Sequence, residues 1–508
     1  MKILSASQIR ELDRLTILHK PIASIDLMET AASKCVQWIS QNLNAQSFVV
    51  LAGRGNNGGD GLAIARLLHN QGKDVQVFWI ENSSQISLDC QTNYERLPKE
   101  ISVTLVNAQN NHLHIPVESV CIDAIFGVGL SRPLEGWLGD FIRNINQLPN
   151  LKIAIDVPSG MYADSPQSQA SSIFKADYTL TFHQAKLNML LPQTGNFAGK
   201  IVVLDIGLLK DYEREMSSDY FLLSESRVQS WYQERLPRPI FAHKGTFGHS
   251  LLVAGSLGKG GASILAAKAC LLSGTGLLTL LAPPCNYSPL QTAVPEAMLL
   301  LSSAPNYIRN DKHDFSPFKA IGVGCGIGLH EETQVFLKNL LQNVQVPLVL
   351  DADALNILAQ NPAWLSFLPP NSILTPHHKE FERLAGTWQN DHEALEKQLN
   401  FAQKYHCFVL FKGAYSRIAT PQGKIFFNPT GNPAMATGGM GDVLTGIITA
   451  LLAQGYEPEK ALCIGVYAHG LAGDLAQQKN NAVAITPTML LEHLPLAWTR
   501  LAQKQVFA

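Results

Sequence analysis

The sequence predicts two α/β domains in tandem, each built on a parallel sheet with helices on both faces. Three observations carry this. Short, continuously apolar runs recur along the chain, helical patterns separate them, and most runs end in Gly, Asp or Pro. The length of 508 residues suits two large domains. Only 16% of the residues are charged and 46% are hydrophobic, so much of the chain is available for burial.

FVVLA (48–52) reads as the first strand, followed by a glycine-rich turn and by GLAIARLLHNQG, whose apolar residues keep helical spacing up to Gly72. VQVFWI (75–80), SVCIDAIFG (119–127), LKIAIDVPSG (151–160), ADYTLTF (176–182) and KIVVLDIG (200–207) are the further β-rich runs. The pattern lapses over KDYEREMSSD (210–219), and a Pro-Arg-Pro step follows at 237–239. A boundary near 222 therefore gives domains of residues 1–222 and 223–508. The alternation restarts with SLLVAGS (250–256), a helix over about 261–273, and LLTLLAP (277–283). AIGVGCG (320–326), PLVLDADAL (347–355), SILTPH (372–377) and CFVLFKG (407–413) continue it, and RIATPQGKIFF (417–427) reads as a hairpin. Helical patterns at 441–455 and 458–478 close the chain.

Composition excludes several classes. A formal charge of −2 argues against a nucleic-acid or membrane surface driven by net charge. The 38 glycines and 27 prolines are near average usage, which excludes collagen-like or low-complexity chains. Eight scattered cysteines without a CxxC pair read as reduced thiols, not as a disulfide framework or zinc site. MKILSASQIRELDRL has charges throughout and no apolar signal segment, so the expected location is cytoplasmic, with neither nucleic acid nor membrane as partner.

AGRGNNGGDG (52–61) joins a strand to a helix. Its glycines allow positive φ and close backbone approach to a ligand, and a helix start attracts anions. Asn56, Asn57 and Asp60 add amide and carboxylate groups that a bare turn does not need. Asp123 ends one apolar run and leads into GVGLSRP (127–133); Asp156 ends another and leads into VPSG, with Ser159 just beyond. Ligands of parallel sheets sit at the carboxyl ends of strands, so Asn57, Asp123, Asp156 and Ser159 are expected to converge. Such hard oxygen donors suit an alkali or alkaline-earth cation.

NNGGDG, DAIFGVGLSRP and DVPSG together resemble the N-terminal domain of the YjeF family, the NAD(P)H-hydrate epimerases. The resemblance implies a Rossmann-like three-layer domain that interconverts the R and S forms of hydrated NADH and NADPH (NADHX and NADPHX). It implies potassium held by Asn57, Asp123 and Ser159. It also implies contacts to the hydrate from Asn56, Asn57, Gly58, Gly59 and Asp60, from Gly127, Val128, Gly129, Leu130, Ser131, Arg132 and Pro133, and from Asp156. Epimerisation beside a ring nitrogen needs a proton-transfer group, for which Asp156 is the candidate.

GNPAMATGGMGDVLTG (431–446) carries most information in the second half. Gly438, Gly439 and Gly441 precede a long apolar helix, so backbone N–H groups and the helix dipole face one point. Asp442 stands in the first turn, placed as a general base beside an anion hole. His377 and Glu380 lie three apart on an incipient helix, and Lys412 to Ser416 ends a strand as a phosphate cradle.

GGMGD resembles the ribokinase-like superfamily; with HKGTFG, TPHHKE and KGAYS it resembles the ADP/ATP-dependent NAD(P)H-hydrate dehydratase domain. The resemblance implies that Lys412, Gly413, Ala414, Tyr415, Ser416 and Gly441 contact ADP or ATP, accompanied by magnesium, and that Ala262, Gly324, His377 and Asp442 contact the hydrate. The expected protein is a bifunctional repair enzyme and a homo-oligomer, taking NADHX or NADPHX and an adenine nucleotide. The alternative is a ribokinase-like small-molecule kinase fused to a non-catalytic nucleotide-binding module.

Overall fold

The computed structural model describes residues 1–20, 22–111 and 113–503. Two compact units divide the chain: Lys2–Ser218 with Asn390–His392, and Met1, Asp219–Gln389 and the chain from Glu393 onward.

The first unit holds a seven-stranded sheet of β1 (Ser47–Ala52), β2 (Asp74–Ile80), β3 (Ser102–Val106), β4 (Val120–Ala124), β5 (Lys152–Ile155), β6 (Tyr178–Phe182) and β7 (Lys200–Leu204). All neighbours run parallel, in the order β3-β2-β1-β4-β5-β6-β7. The order reverses between β1 and β4, which opens a crevice at their carboxyl ends. Both faces are covered. Phe48, Val50 and Ala52 pack into one core with Ile39 and Leu68, while Val49 and Leu51 pack into another with Phe141 and Ile142. A strand buried on both sides reads as a continuous apolar run, which is why FVVLA was legible.

The second unit holds β8 (Tyr220–Leu222), β9 (His249–Val253), β10 (Leu277–Ala282), β11 (Met298–Leu301), β12 (Ala320–Val323), β13 (Leu348–Leu350), β14 (Ile373–Leu374), β15 (Phe408–Phe411), β16 (Arg417–Ala419) and β17 (Ile425–Phe427). The order is β11-β10-β9-β12-β13-β14-β15-β16-β17-β8, antiparallel only at the β15–β16 and β16–β17 pairs. The helix Met440–Ala453 is apolar nearly all round and buried accordingly, with Val443, Ile447, Ile448 and Leu451 in the main core.

Three expectations change. Residues 220–222, placed in the first domain by the sequence, pair with β17, so the division falls at 218/219. The edge strands β3 and β11 were not expected; each is half exposed and lacks a continuous buried run. A further helix, Pro487–Ala502, follows the two expected to close the chain, with Pro495 inside it obscuring the pattern. No described helix is long and apolar enough to cross a membrane.

Candidate functional sites

The NNGGDG segment is not a turn. The helix Asn56–Asn70 begins at its first residue, and none of Gly58, Gly59 and Gly61 has positive φ. These glycines answer to packing. A Cβ on Gly58 would collide with the Gly53 carbonyl, one on Gly59 would lie 2.8 Å from Met28 Sδ, and one on Gly61 2.5 Å from Ala124 Cβ. The helix is thereby seated against β1 and β4, and its polar residues face different ways. Asn57 turns toward the loop after β4, donating from Nδ2 to the Phe126 carbonyl at 2.9 Å. Asn56 and Asp60 line a cavity of about 330 Å³ together with Met28, Asp13 and Phe182.

Asp123 and Ser159 form one buried knot beside Asn57. The Ser159 hydroxyl donates to Asp123 Oδ1 (2.6 Å), its amide donates to Oδ2 (2.8 Å), and the Phe126 amide donates to the Ser159 hydroxyl (2.9 Å). Burial pushes the Asp123 carboxyl up to about 6, against those hydrogen bonds and one from the Ile125 amide. No described side-chain cation pairs with it. A fully buried carboxylate with one oxygen still able to accept, next to an amide oxygen that receives no hydrogen bond, is the donor chemistry a hard monovalent cation requires.

Asp156 follows β5 with φ of 61°, a left-handed conformation uncommon outside glycine. Its Oδ1 takes three hydrogen bonds: from Lys186 Nζ (2.5 Å), the Phe182 amide (3.2 Å) and Thr181 Oγ1 (3.4 Å). Its Oδ2 takes none, so one oxygen is left for chemistry. Lys186 is 1% exposed and was not singled out by the sequence. Of the loop 127–133, Gly129, Ser131 and Arg132 are exposed, whereas Val128 and Leu130 pack against core residues.

In the second unit Gly439, with φ of 95°, precedes the helix Met440–Ala453. The first amide bonded back is that of Val443, to the Gly439 carbonyl at 3.2 Å; among the described residues the N–H groups of 438–442 find no protein acceptor. Asp442 lies half-buried in this first turn. Burial pushes its carboxyl up to about 6; the Cys325 thiol and the Lys412 charge pull down, and Asp351 pushes up.

Beneath these amides lies an ion pair. Lys412 Nζ is 2.7 Å from Asp351 Oδ1 and 3.9 Å from Glu380, and Thr445 Oγ1 donates to Asp351 Oδ2 at 3.0 Å. Burial opposes both charges, but each partner outweighs it, holding Asp351 below the usual carboxylate range and Lys412 above the usual ammonium one. Gly441 makes the arrangement possible: a Cβ there would lie 3.1 Å from Asp351 Oδ2 and 3.3 Å from Lys412 Nζ. Lys412 thus forms a floor under the helix start, apart from Gly413–Ser416. That stretch is a separate turn, in which the Ser416 hydroxyl donates to the Gly413 carbonyl (2.9 Å) and Tyr415 has φ of 48°.

His377 caps the helix His378–Ala385: its Nδ1 accepts from the Glu380 amide, and the His377 amide donates to Glu380 Oε2 at 2.8 Å. Gly324 has φ of 127°, where a Cβ would collide with the Asp351 carbonyl; a Cβ on Gly326 would lie 3.2 Å from that of Ala262. Ala262, Gly324, Asp442 and the Lys412 floor are therefore brought to the carboxyl ends of β9, β12, β13 and β15. Asp351 carried the signal that picked out Asp123 and Asp156, an acid ending an apolar run, and sequence reading passed over it. His469 carried no signal; its Nε2 meets the Met440 carbonyl at 3.1 Å, and burial pushes the ring down to about 4, so it supports the helix start as a neutral imidazole.

Residues 24–188 match the family described as the YjeF-related protein N-terminus, and residues 250–496 match that described as NAD(P)H-hydrate dehydratase. The bifunctional NAD(P)H-hydrate repair enzyme Nnr of Moorella thermoacetica is 35% identical, over 99% of this chain and 98% of its own. Its namesake from Thermofilum pendens is 33% identical over 98% and 96% respectively. Among solved structures, the ADP/ATP-dependent NAD(P)H-hydrate dehydratase from Bacillus subtilis, co-crystallized with ATP/Mg2+, is 28% identical over 56% of this chain and all of its own, with a TM-score of 0.48. With both families matched in order along one chain, and a 35% identical relative spanning nearly all of it, the protein belongs to the bifunctional NAD(P)H-hydrate repair enzymes.

Proposed function

We propose that the first unit interconverts the R and S forms of NADHX and NADPHX, and that the second dehydrates the S form with ADP or ATP as phosphoryl donor. The observation that carries the second assignment is the run of unbonded amides at 438–442 beside Asp442 and above Lys412. Those amides and the ammonium stabilise charge on the transferring phosphoryl group. Asp442 takes the proton of the ring hydroxyl as its oxygen bonds to phosphorus and the bond to the nucleotide breaks. Phosphate then leaves the ring carbon with its electron pair, and loss of a proton from the neighbouring carbon restores the double bond. Magnesium bound with the nucleotide would neutralise phosphate charge beside these amides. Ala262, Gly324 and His377 line the hydrate side, and Gly413, Ala414, Tyr415 and Ser416 the nucleotide side.

In the first unit, Asp156 transfers protons through Oδ2 while Lys186 holds Oδ1. Asn56 and Asp60 contact the hydrate in their cavity, and the exposed part of 127–133 contacts it from outside. Asn57, Asp123 and Ser159 would hold potassium, which would balance the buried Asp123 charge and fix the loops after β4 and β5. A cytoplasmic location and a homo-oligomeric state complete the reading, the latter to be measured by light scattering.

The test is recovery of near-ultraviolet absorbance when mixed hydrate epimers meet the enzyme, ADP and magnesium. Complete recovery is expected; arrest once the S form is consumed would remove the epimerase assignment. Exchange of R into S in potassium should exceed that in an equal concentration of tetramethylammonium.

A further inference from the structure

We propose that Asp13 is a second proton-transfer residue of the first unit's site, giving a proton to the departing hydroxyl while Asp156 receives one from the entering water. This rests on the reading of that unit as an epimerase. Asp13 lies on the helix Ala6–His19 and lines the 330 Å³ cavity with Asn56 and Asp60. Neither Asp13 nor Asp60 has a hydrogen bond or ion pair among the described residues, although Asp60 is only 9% exposed. An unpartnered acid that deeply buried is costly unless the cavity it faces is meant to hold a polar ligand. Asp156 lies close behind this lining: its charge acts on both Asp13 and Asp60, its Oδ1 accepts from the amide of Phe182, which lines the cavity, and its Oδ2 takes no hydrogen bond.

The charged groups around Asp13 are Arg10 and Arg14 on its own helix, with Asp60, Asp89, Asp156 and Lys186 from the elements packed against it. Burial first, then the Asp156 charge, pushes Asp13 up to about 7, with Lys186 pulling partly back. Asp13 therefore carries a proton through much of the neutral range, while Asp156 has a lysine at 2.5 Å. Two carboxyls in unlike surroundings divide acid and base work.

The steps balance. The ring hydroxyl takes the Asp13 proton, the C–O bond breaks with its electron pair leaving on water, and the ring nitrogen's lone pair closes a C=N⁺ bond. Water adds to the opposite face, the C–O bond re-forms, the nitrogen recovers its pair, and the surplus proton passes to Asp156. The return direction exchanges the two roles, so no co-reactant is required.

The experiment follows R-to-S exchange by the full chain without ADP, for the wild type, Asp13→Asn and Asp13→Glu. Asp13→Asn should lower kcat for exchange by about 100-fold or more with KM changed little. Its dehydration of the S form should be unchanged and its Tm equal or higher, since a neutral amide relieves a buried acid of its charge. The fall in the wild type's exchange as pH rises through about 7 should vanish from the residual rate, and Asp13→Glu should restore part of it. Exchange by Asp13→Asn within a few-fold of wild type would overturn the proposal, as would loss of exchange together with a lowered Tm. A wild type that accelerates no exchange would overturn the epimerase reading itself, and the proposal with it, before any variant is made.

Discussion

Each unit buries one lysine against one aspartate at the carboxyl ends of its strands, and the two pairs serve different ends. Lys186 bonds the acid proposed to react, taking one oxygen of Asp156 and leaving the other open. Lys412 bonds an acid with no proposed chemistry, and the reactive Asp442 stands on the neighbouring helix start. Backbone strain follows the pair and not the reaction: Asp156 itself has φ of 61°, whereas in the second unit Ala352, next to Asp351, has φ of 47°. On the proposed function, the ion pair of the first site orients the reagent, and that of the second supplies a fixed charge under the phosphoryl position. Both members of the second pair act on the base, whose pKa burial and Asp351 raise and Lys412 lowers.

The strongest separation of the two sites comes from Asp442→Asn. Dehydration should fall on the order of 10²–10⁴-fold while R-to-S exchange is unchanged, measured side by side on one preparation. Lys412→Met should cost dehydration roughly 10²–10³-fold, the scale of losing a charge donor at a transition state. It also strands the buried Asp351, so unfolding should shift by about 3–5 kcal/mol in a denaturant titration. Lys186→Met should instead abolish exchange by about 100-fold while leaving dehydration intact; equal loss of both activities would erase the distinction between the pairs.

Acid titration gives a smaller effect. Asp442 must be ionised to act, and its carboxyl is raised to about 6, so kcat/KM for dehydration should rise with pH through about 6 and level above it. Lys412 pulls that value down, so Lys412→Met should move the limb to higher pH; an unmoved limb would assign it to another group. Least affected should be Ser416→Ala. Its hydroxyl is engaged with Gly413 within its own turn, and nucleotide KM should change only a few-fold.

What could be read beforehand follows the same physics. Interior strands such as β1 and β12 are buried on both faces and announce themselves as apolar runs; β3 and β11, at the edges, do not. Asp442 was legible because a helix start, three glycines and an acid are local facts. Lys186 was not, because its pairing with an acid 30 residues away exists only once the sheet has formed; Asp351 showed as an acid ending an apolar run, but its pairing with Lys412, 61 residues on, did not. The glycines of NNGGDG were expected to open a turn with positive φ; a helix starts there instead, and they let it close on the Gly53 carbonyl, Met28 and Ala124.

That seating leaves little freedom for change. A Cβ on Gly58 would fall 1.8 Å from the Gly53 carbonyl oxygen and one on Gly61 2.5 Å from Ala124 Cβ, so neither place admits even a methyl group. An alanine at either place would lift the helix start from its strands and draw Asn57 away from the Phe126 carbonyl it bonds.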